Sequence, residues 1–205
     1  MYRRFIKRFL DFIISLFGLL LLSPILLLIA LLLVIANQGN VFFTQERPGR
    51  REKIFRVIKF RSMNNKRDIE GNLLLDSERL THIGKFIRAT SLDELPQLIN
   101  VLKGNMSLIG PRPLLIRYLP FYSEREKLRH SILPGITGLA QVSGRNTLDW
   151  DSKLELDVRY AENITFMGDI KILWATLTKV VNRDGAIPDK KENYFDIERQ
   201  NKLML

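Results

Sequence analysis

Residues 12–36 form an uncharged, strongly apolar run of 25 residues, bounded by Asp11 and Asn37, with Ser23-Pro24 at its middle. A helix of that length is enough to span the roughly 30 Å hydrocarbon core of a bilayer. The proline complicates this reading. Pro24 offers no N–H to the carbonyl of Leu20, and its ring pushes that carbonyl aside. The Ser23 hydroxyl can bond a carbonyl one turn earlier, which relieves and often bends a helix. The pattern therefore predicts a break into two half-helices, residues 12–23 and 24–36. At 1.5 Å per residue each reaches about 18–20 Å, short of the hydrocarbon thickness. Two topologies remain open: a kinked spanning helix, since proline is tolerated in such helices, and a re-entrant hairpin.

Charge separates them. Residues 1–11 carry Arg3, Arg4, Lys7 and Arg8 against Asp11, and residues 37–67 carry nine Lys and Arg against Glu46 and Glu52. Basic flanks prefer the cytoplasm. A spanning helix would put one of them outside, whereas a hairpin keeps both inside. A secretory signal is a poor fit, because the apolar run is too long and no small-residue cleavage pattern follows. The chain then divides into a membrane hairpin (residues 1–38), a principal domain (39–183) and a polar C-terminal tail (184–205).

The formal net charge of +10 suits nucleic acid, an anionic membrane face or a phosphorylated substrate. There is no cysteine, so neither disulfides nor thiolate chemistry arise, and the two histidines lack zinc-ligand spacing.

Within the principal domain the fold class reads as helix-rich α+β. Residues 41–44 and 53–60 alternate as the strands of a small β-hairpin, with Pro48-Gly49 in the loop. Leu80, Ile83 and Ile87 keep helical spacing, and that helix ends near Arg88. Leu95, Leu98, Ile99 and Leu102 form an amphipathic stripe that Gly104 stops. Pro96 is tolerated only in a first turn, so this helix is expected to start near Asp93. Pro113 is expected to open another helix. Residues 114–122 and 169–183 mix apolar, aromatic and basic side chains. That pattern suits amphipathic helices in a membrane interface, and equally suits packing on the core. Residues 133–146 are glycine-rich and read as loop.

The sharpest polar feature is the pair Asp93-Glu94. Neighbours on a helix point different ways, so they are not a dyad flanking one bond. One reading is structural: acidic residues favour a first helical turn, and Ser91-x-x-Glu94 spells a capping box. The cations favour another. Lys59 closes a strand, Arg88 ends a helix, Arg112 stands between Pro111 and Pro113, and Arg145 lies in Ser143-Gly144-Arg145-Asn146. Together they suggest a polyanionic substrate beside a carboxylate, as phosphoryl transfer requires. No P-loop motif is present. The aromatics do not interleave with the basic residues as a single-strand nucleic-acid platform needs, so no nucleic-acid partner is expected.

Three stretches, KFRSM (59–63), SLDELPQLINVLKGNMSLIGPRP (91–113) and PGITGLAQVSGRN (134–146), resemble the monotopic phosphoglycosyl transferases, the bacterial sugar transferases. The resemblance runs over residues 1–183, and is nearest to the small undecaprenyl-phosphate bacillosaminyl-phosphate transferases. It implies transfer of a sugar 1-phosphate from a UDP-sugar to polyprenyl phosphate at the cytoplasmic face of the bacterial inner membrane. The sugar would be diacetylated bacillosamine or, alternatively, a hexose or N-acetylhexosamine. It also implies Asp93 as nucleophile, Glu94 assisting, and Mg2+ held by both. Lys59, Arg88, Arg112 and Arg145 would be phosphate and nucleotide contacts, and Ser23-Pro24 the re-entrant bend. The larger members carry a further membrane domain ahead of the catalytic region, for which this sequence shows no counterpart. If both flanks stay inside, a cysteine introduced at residue 2 remains unlabelled by an impermeant maleimide added to intact cells. Labelling from outside would contradict the hairpin.

Overall fold

Residues 1–144, 148–182 and 194–203 are described by a computed structural model of the chain. A long apolar helix, α1 (Lys7–Ala36), leads into the strands β1 (Phe42–Pro48) and β2 (Ile54–Phe60). The short α2 (Asp76–Arg79), then α3 (His82–Ala89), α4 (Gln97–Leu102), β3 (Ser107–Ile109) and α5 (Glu124–Lys127) follow. After β4 (Gly135–Thr137) come α6 (Leu139–Ser143), α7 (Trp150–Glu162), α8 (Phe166–Asn182) and α9 (Phe195–Leu203). The result is a helix-rich α+β fold with a small antiparallel sheet.

The backbone of α1 is helical without interruption across Ser23 and Pro24, so the two expected half-helices belong to one element. The reason is local. The carbonyl that Pro24 leaves without a donor is that of Leu20, and the Ser23 hydroxyl donates to it at 2.8 Å. One side of α1 is fastened to the rest of the chain along its length. The Lys7 ammonium donates to Asp169 of α8 at 2.9 Å, and Asp11 accepts from the Ser107 hydroxyl at 2.7 Å. Ile29 and Leu33 pack with Phe60 and Ile87. Just past the helix, the Asn37 amide donates to the Arg61 carbonyl at 2.7 Å. The other side exposes Phe9, Phe17, Leu21, Leu27, Leu31 and Ile35. Among the described residues, α1 is the one helix long and apolar enough to cross a membrane.

The hairpin forms as its alternation predicts, with Phe42 opposite Phe60 and Pro48 opposite Ile54. Its first strand runs on to Pro48, and the loop shrinks to residues 49–53. Alternate residues of a strand share a face. Phe55 and Val57 enter the main core with Leu98, Val101 and Met106, and the same alternation turns Lys59 to that side.

Two expectations change. The glycine-rich stretch is not plain loop: β4 pairs in parallel with β3, and α6 follows. Glycine is needed there because a Cβ on Gly135 would lie 2.0 Å from the backbone nitrogen of Gly110. Nor does Pro113 open an α-helix. The chain stays irregular until a 3-10 turn at Ile116–Phe121, whose Tyr118 is buried along with the neighbouring Tyr122. Of the two readings open for residues 114–122, core packing is the one observed. The covering element is α9, within the segment expected to be a polar tail. Phe195 is fully buried against Tyr118, Tyr122 and Trp150. α8, by contrast, leaves Ile170, Trp174, Leu177 and Val181 exposed at helical spacing.

Candidate active site

Asp93 and Glu94 sit on a 3-10 turn, Leu92–Glu94, between α3 and α4. The turn is entered through Ser91 in the left-handed region (φ 57°), a conformation costing a non-glycine residue about 1 kcal/mol. Ser91 makes no side-chain cap bond. The capping-box reading therefore fails, and α4 begins only at Gln97, after Pro96. Glu94 faces two cations instead. Lys59 Nζ donates to Glu94 Oε1 at 2.7 Å, and Arg112 Nη2 donates to the same oxygen at 2.9 Å. Asp93 has no hydrogen-bond or ion-pair partner among the described residues.

These contacts set the two carboxylates apart. Burial alone would push Glu94 upward, but Arg112 and Lys59 outweigh it and hold its carboxyl well below the usual range. Burial, reinforced by the neighbouring Glu94 charge, raises Asp93 to about 6 against the pull of Lys59, Arg88 and Arg112. Burial lowers the Lys59 ammonium, with Glu94 opposing. Lys59, Arg88 and Arg112 thus gather around the two acidic residues, an arrangement that accepts further negative charge.

Lys59, Arg88, Asp93, Glu94 and Arg112 all line one cavity of about 780 Å3, within the range of small-molecule sites. Arg88, at the end of α3, reaches the Met63 sulfur at 3.9 Å. Four expected cation positions thus become three in one wall, since Arg145 lies outside the described residues. The placement of Arg112 differs from the expected helix start. It lies on the irregular segment after β3, and its position comes from a buried pair that no sequence motif marks. The Arg129 guanidinium donates to Asp157 at 2.7 and 3.1 Å and to the Arg112 backbone carbonyl at 2.6 Å. Both charges of this pair are almost completely buried.

A Mg2+ ion binds through one or two carboxylates completed by substrate phosphate oxygens. Among the described residues no group of three or more His, Cys, Asp or Glu is placed to hold a metal ion, and Asp93 and Glu94 are the two carboxylates of this cavity wall that a phosphate-bound Mg2+ would draw on.

A family model for bacterial sugar transferases matches residues 2–183, and the chain belongs to that family. It is similar to the uncharacterized sugar transferase EpsL of Bacillus subtilis (strain 168), 47% identical over 194 residues covering 95% of each chain. It is also similar to the undecaprenyl-phosphate galactose phosphotransferase of Salmonella typhimurium, 40% identical over 200 residues, 89% of this chain and 42% of that protein. A third relative is the UDP-glucose:undecaprenyl-phosphate glucose-1-phosphate transferase of Escherichia coli (strain K12), 40% identical over 188 residues, 86% of this chain and 40% of that protein. The chain spans about two fifths of the length of these last two relatives.

Asp157→Asn leaves the Arg129 charge buried without a counter-ion, and loss of one partner of such a pair costs about 3–5 kcal/mol. Thermal unfolding in detergent is expected to show that loss. An unchanged midpoint would mean the pair carries no stability.

Proposed function

We propose that the chain transfers a hexose 1-phosphate from a UDP-hexose to polyprenyl (undecaprenyl) phosphate, releasing UMP and leaving a polyprenyl-diphosphate hexose. The reaction would open the membrane stage of glycoconjugate synthesis. The observation that carries this is the division of labour in the acidic pair: Glu94 is paired with Lys59 and Arg112, while Asp93, in the same cavity, takes no ion-pair partner among the described residues. The relatives named for galactose and glucose transfer support a hexose. Nothing in the comparisons adds to the diacetylated bacillosamine expectation.

The steps follow from the geometry. Lys59, Arg88 and Arg112 receive the diphosphate and offset its repulsion by Asp93, which is strong wherever water is excluded. An Asp93 carboxylate oxygen attacks the sugar-bearing phosphorus. The bond from that phosphorus to the UMP oxygen breaks, and UMP leaves with the electron pair. A lipid phosphate oxygen then attacks the same phosphorus. The acyl-phosphate bond breaks, and Asp93 returns as carboxylate. Two displacements divide one reaction between a soluble and a lipid substrate into separate steps. Mg2+, held by Asp93 and Glu94, would supply charge neutralisation to the diphosphate.

The membrane reading is monotopic and re-entrant, with the catalytic domain on the cytoplasmic face of the bacterial inner membrane. Its support is that both ends of α1 bond to one body, Lys7 to Asp169 and Asn37 to Arg61, while the far side exposes apolar side chains. A crossing helix would carry one end to the opposite face. The exposed stripe of α8 supports an interfacial helix beside it.

Asp93→Asn is expected to abolish UMP release from a UDP-hexose with polyprenyl phosphate present, whereas retained turnover would remove Asp93 as nucleophile. Acid should act through the same residue. With its carboxyl raised to about 6, protonation below that pH withdraws the nucleophile. The rate of UMP release from UDP-hexose alone is therefore expected to fall by about tenfold per pH unit once well below it. A flat profile from pH 7 to 4.5 would contradict the assignment.

A further inference from the structure

The cavity that holds the acidic pair has a second wall unlike the first. Leu173, Thr176, Leu177 and Val180 of α8 line it. Their spacing of three, four and seven residues places them on one helical face. Of the polar residues of α8 there, Lys179 also lines the cavity, and Thr176 is satisfied inside the protein, its hydroxyl donating to the Ile172 carbonyl and bonding Thr137 at 2.7 Å. From the other side α1 contributes Leu22, one residue before Ser23-Pro24. The neighbouring Leu20 and Leu21 are 63% and 80% exposed. On α8 the adjacent stripe of Ile170, Trp174 and Val181 is exposed as well. The cavity thus joins a cationic end at Lys59, Arg88 and Arg112 to an apolar wall, made by the same two helices that present apolar side chains outward.

A nucleotide sugar has no use for such a wall. An amphiphile with an anionic head and a long hydrocarbon tail fits both ends. We propose that the α8 face Leu173-Thr176-Leu177-Val180, facing Leu22 of α1, is the subsite for the first isoprene units of the polyprenyl phosphate acceptor. The acceptor enters sideways from the bilayer between α1 and α8, so that its phosphate arrives beside Asp93. The uridine nucleotide is left the cation-lined part of the cavity. This inference rests on the transferase reading for the identity of the ligand.

The first test is independent of turnover. A polyprenyl phosphate carrying a photoreactive group in its first isoprene units is irradiated with the full chain in lipid nanodiscs, and crosslinked peptides are mapped by mass spectrometry. Crosslinks are expected at Leu173 or Val180 and at Leu22, suppressed by unlabelled polyprenyl phosphate. Crosslinks confined to the outward residues Trp174 and Val181, or insensitive to the competitor, would overturn the subsite. Absence of UMP release from every UDP-sugar would instead count against the transferase reading, and the crosslinking result would stand apart from it. The second test is kinetic. Leu173→Trp narrows the apolar wall and is expected to raise KM for a long-chain polyprenyl phosphate and for a ten-carbon prenyl phosphate alike by about tenfold, with little change in KM for UDP-hexose. The single-turnover burst of UMP from UDP-hexose alone should persist, which also reports an intact fold. An unchanged KM for both prenyl phosphates, or an equal rise in KM for UDP-hexose, would overturn the proposal.

Discussion

Everything at the centre of this molecule turns on one carboxylate oxygen. Glu94 Oε1 accepts from Lys59 at the end of β2 and from Arg112 on the segment after β3. Three stretches distant in sequence are thereby drawn to one point, and the charge of Glu94 is spent there. Its neighbour Asp93 shares the turn and the cavity but takes neither cation as a hydrogen-bond donor. The outcome is two adjacent carboxyls pushed in opposite directions, one held ionised and one lifted toward neutrality. Separation of this kind is how a pair of like groups acquires unlike roles. The buried Arg129–Asp157 pair extends the arrangement a layer deeper by bonding the backbone of Arg112. Burying two charges is expensive. Here the pair fixes the height of a cation over the site.

A second constraint acts at the other surface. α1 has to satisfy both an apolar exterior and a polar attachment. It does so by burying Lys7 and Asp11 on one side, each bonded to another element, while most of its phenylalanines and many of its leucines face outward. Asp169 accepts from Lys7 and from the hydroxyls of Tyr2 and Tyr160. α1 and α8 therefore meet through a satisfied polar cluster at one end and an apolar cavity wall farther along. An aqueous and a lipid substrate can then be served by one cavity.

Features of the sequence with a short-range cause were legible. The hairpin follows from alternation around Pro48-Gly49, α8 from its amphipathic pattern, and the stop after α4 from Gly104, which adopts φ 83°. The cations Lys59, Arg88 and Arg112 were visible as a set because each stands at the end of an element or between prolines. What remained hidden depends on partners far along the chain. Glu94 spells a capping box, and only Lys59 and Arg112 arriving from elsewhere override it. The strands β3 and β4 are three residues each and pair across a long connection, so neither carries a periodic signal. Tyr118 and Tyr122 look like interface aromatics until Phe195 of α9 covers them. Arg129 and Asp157 carry no local mark at all. At Pro24 the helix is not interrupted, and the Ser23 hydroxyl takes the carbonyl that proline leaves without a donor.

The central claim is that Asp93, and not Glu94, attacks phosphorus. Peptide mass spectrometry after incubation with UDP-glucose or UDP-galactose, without any lipid acceptor, tests it most directly. The account predicts one phosphohexose on the peptide containing Asp93, discharged when polyprenyl phosphate is added and absent from Asp93→Asn. UMP release with Asp93 unmodified, or an adduct on a different residue, would contradict it.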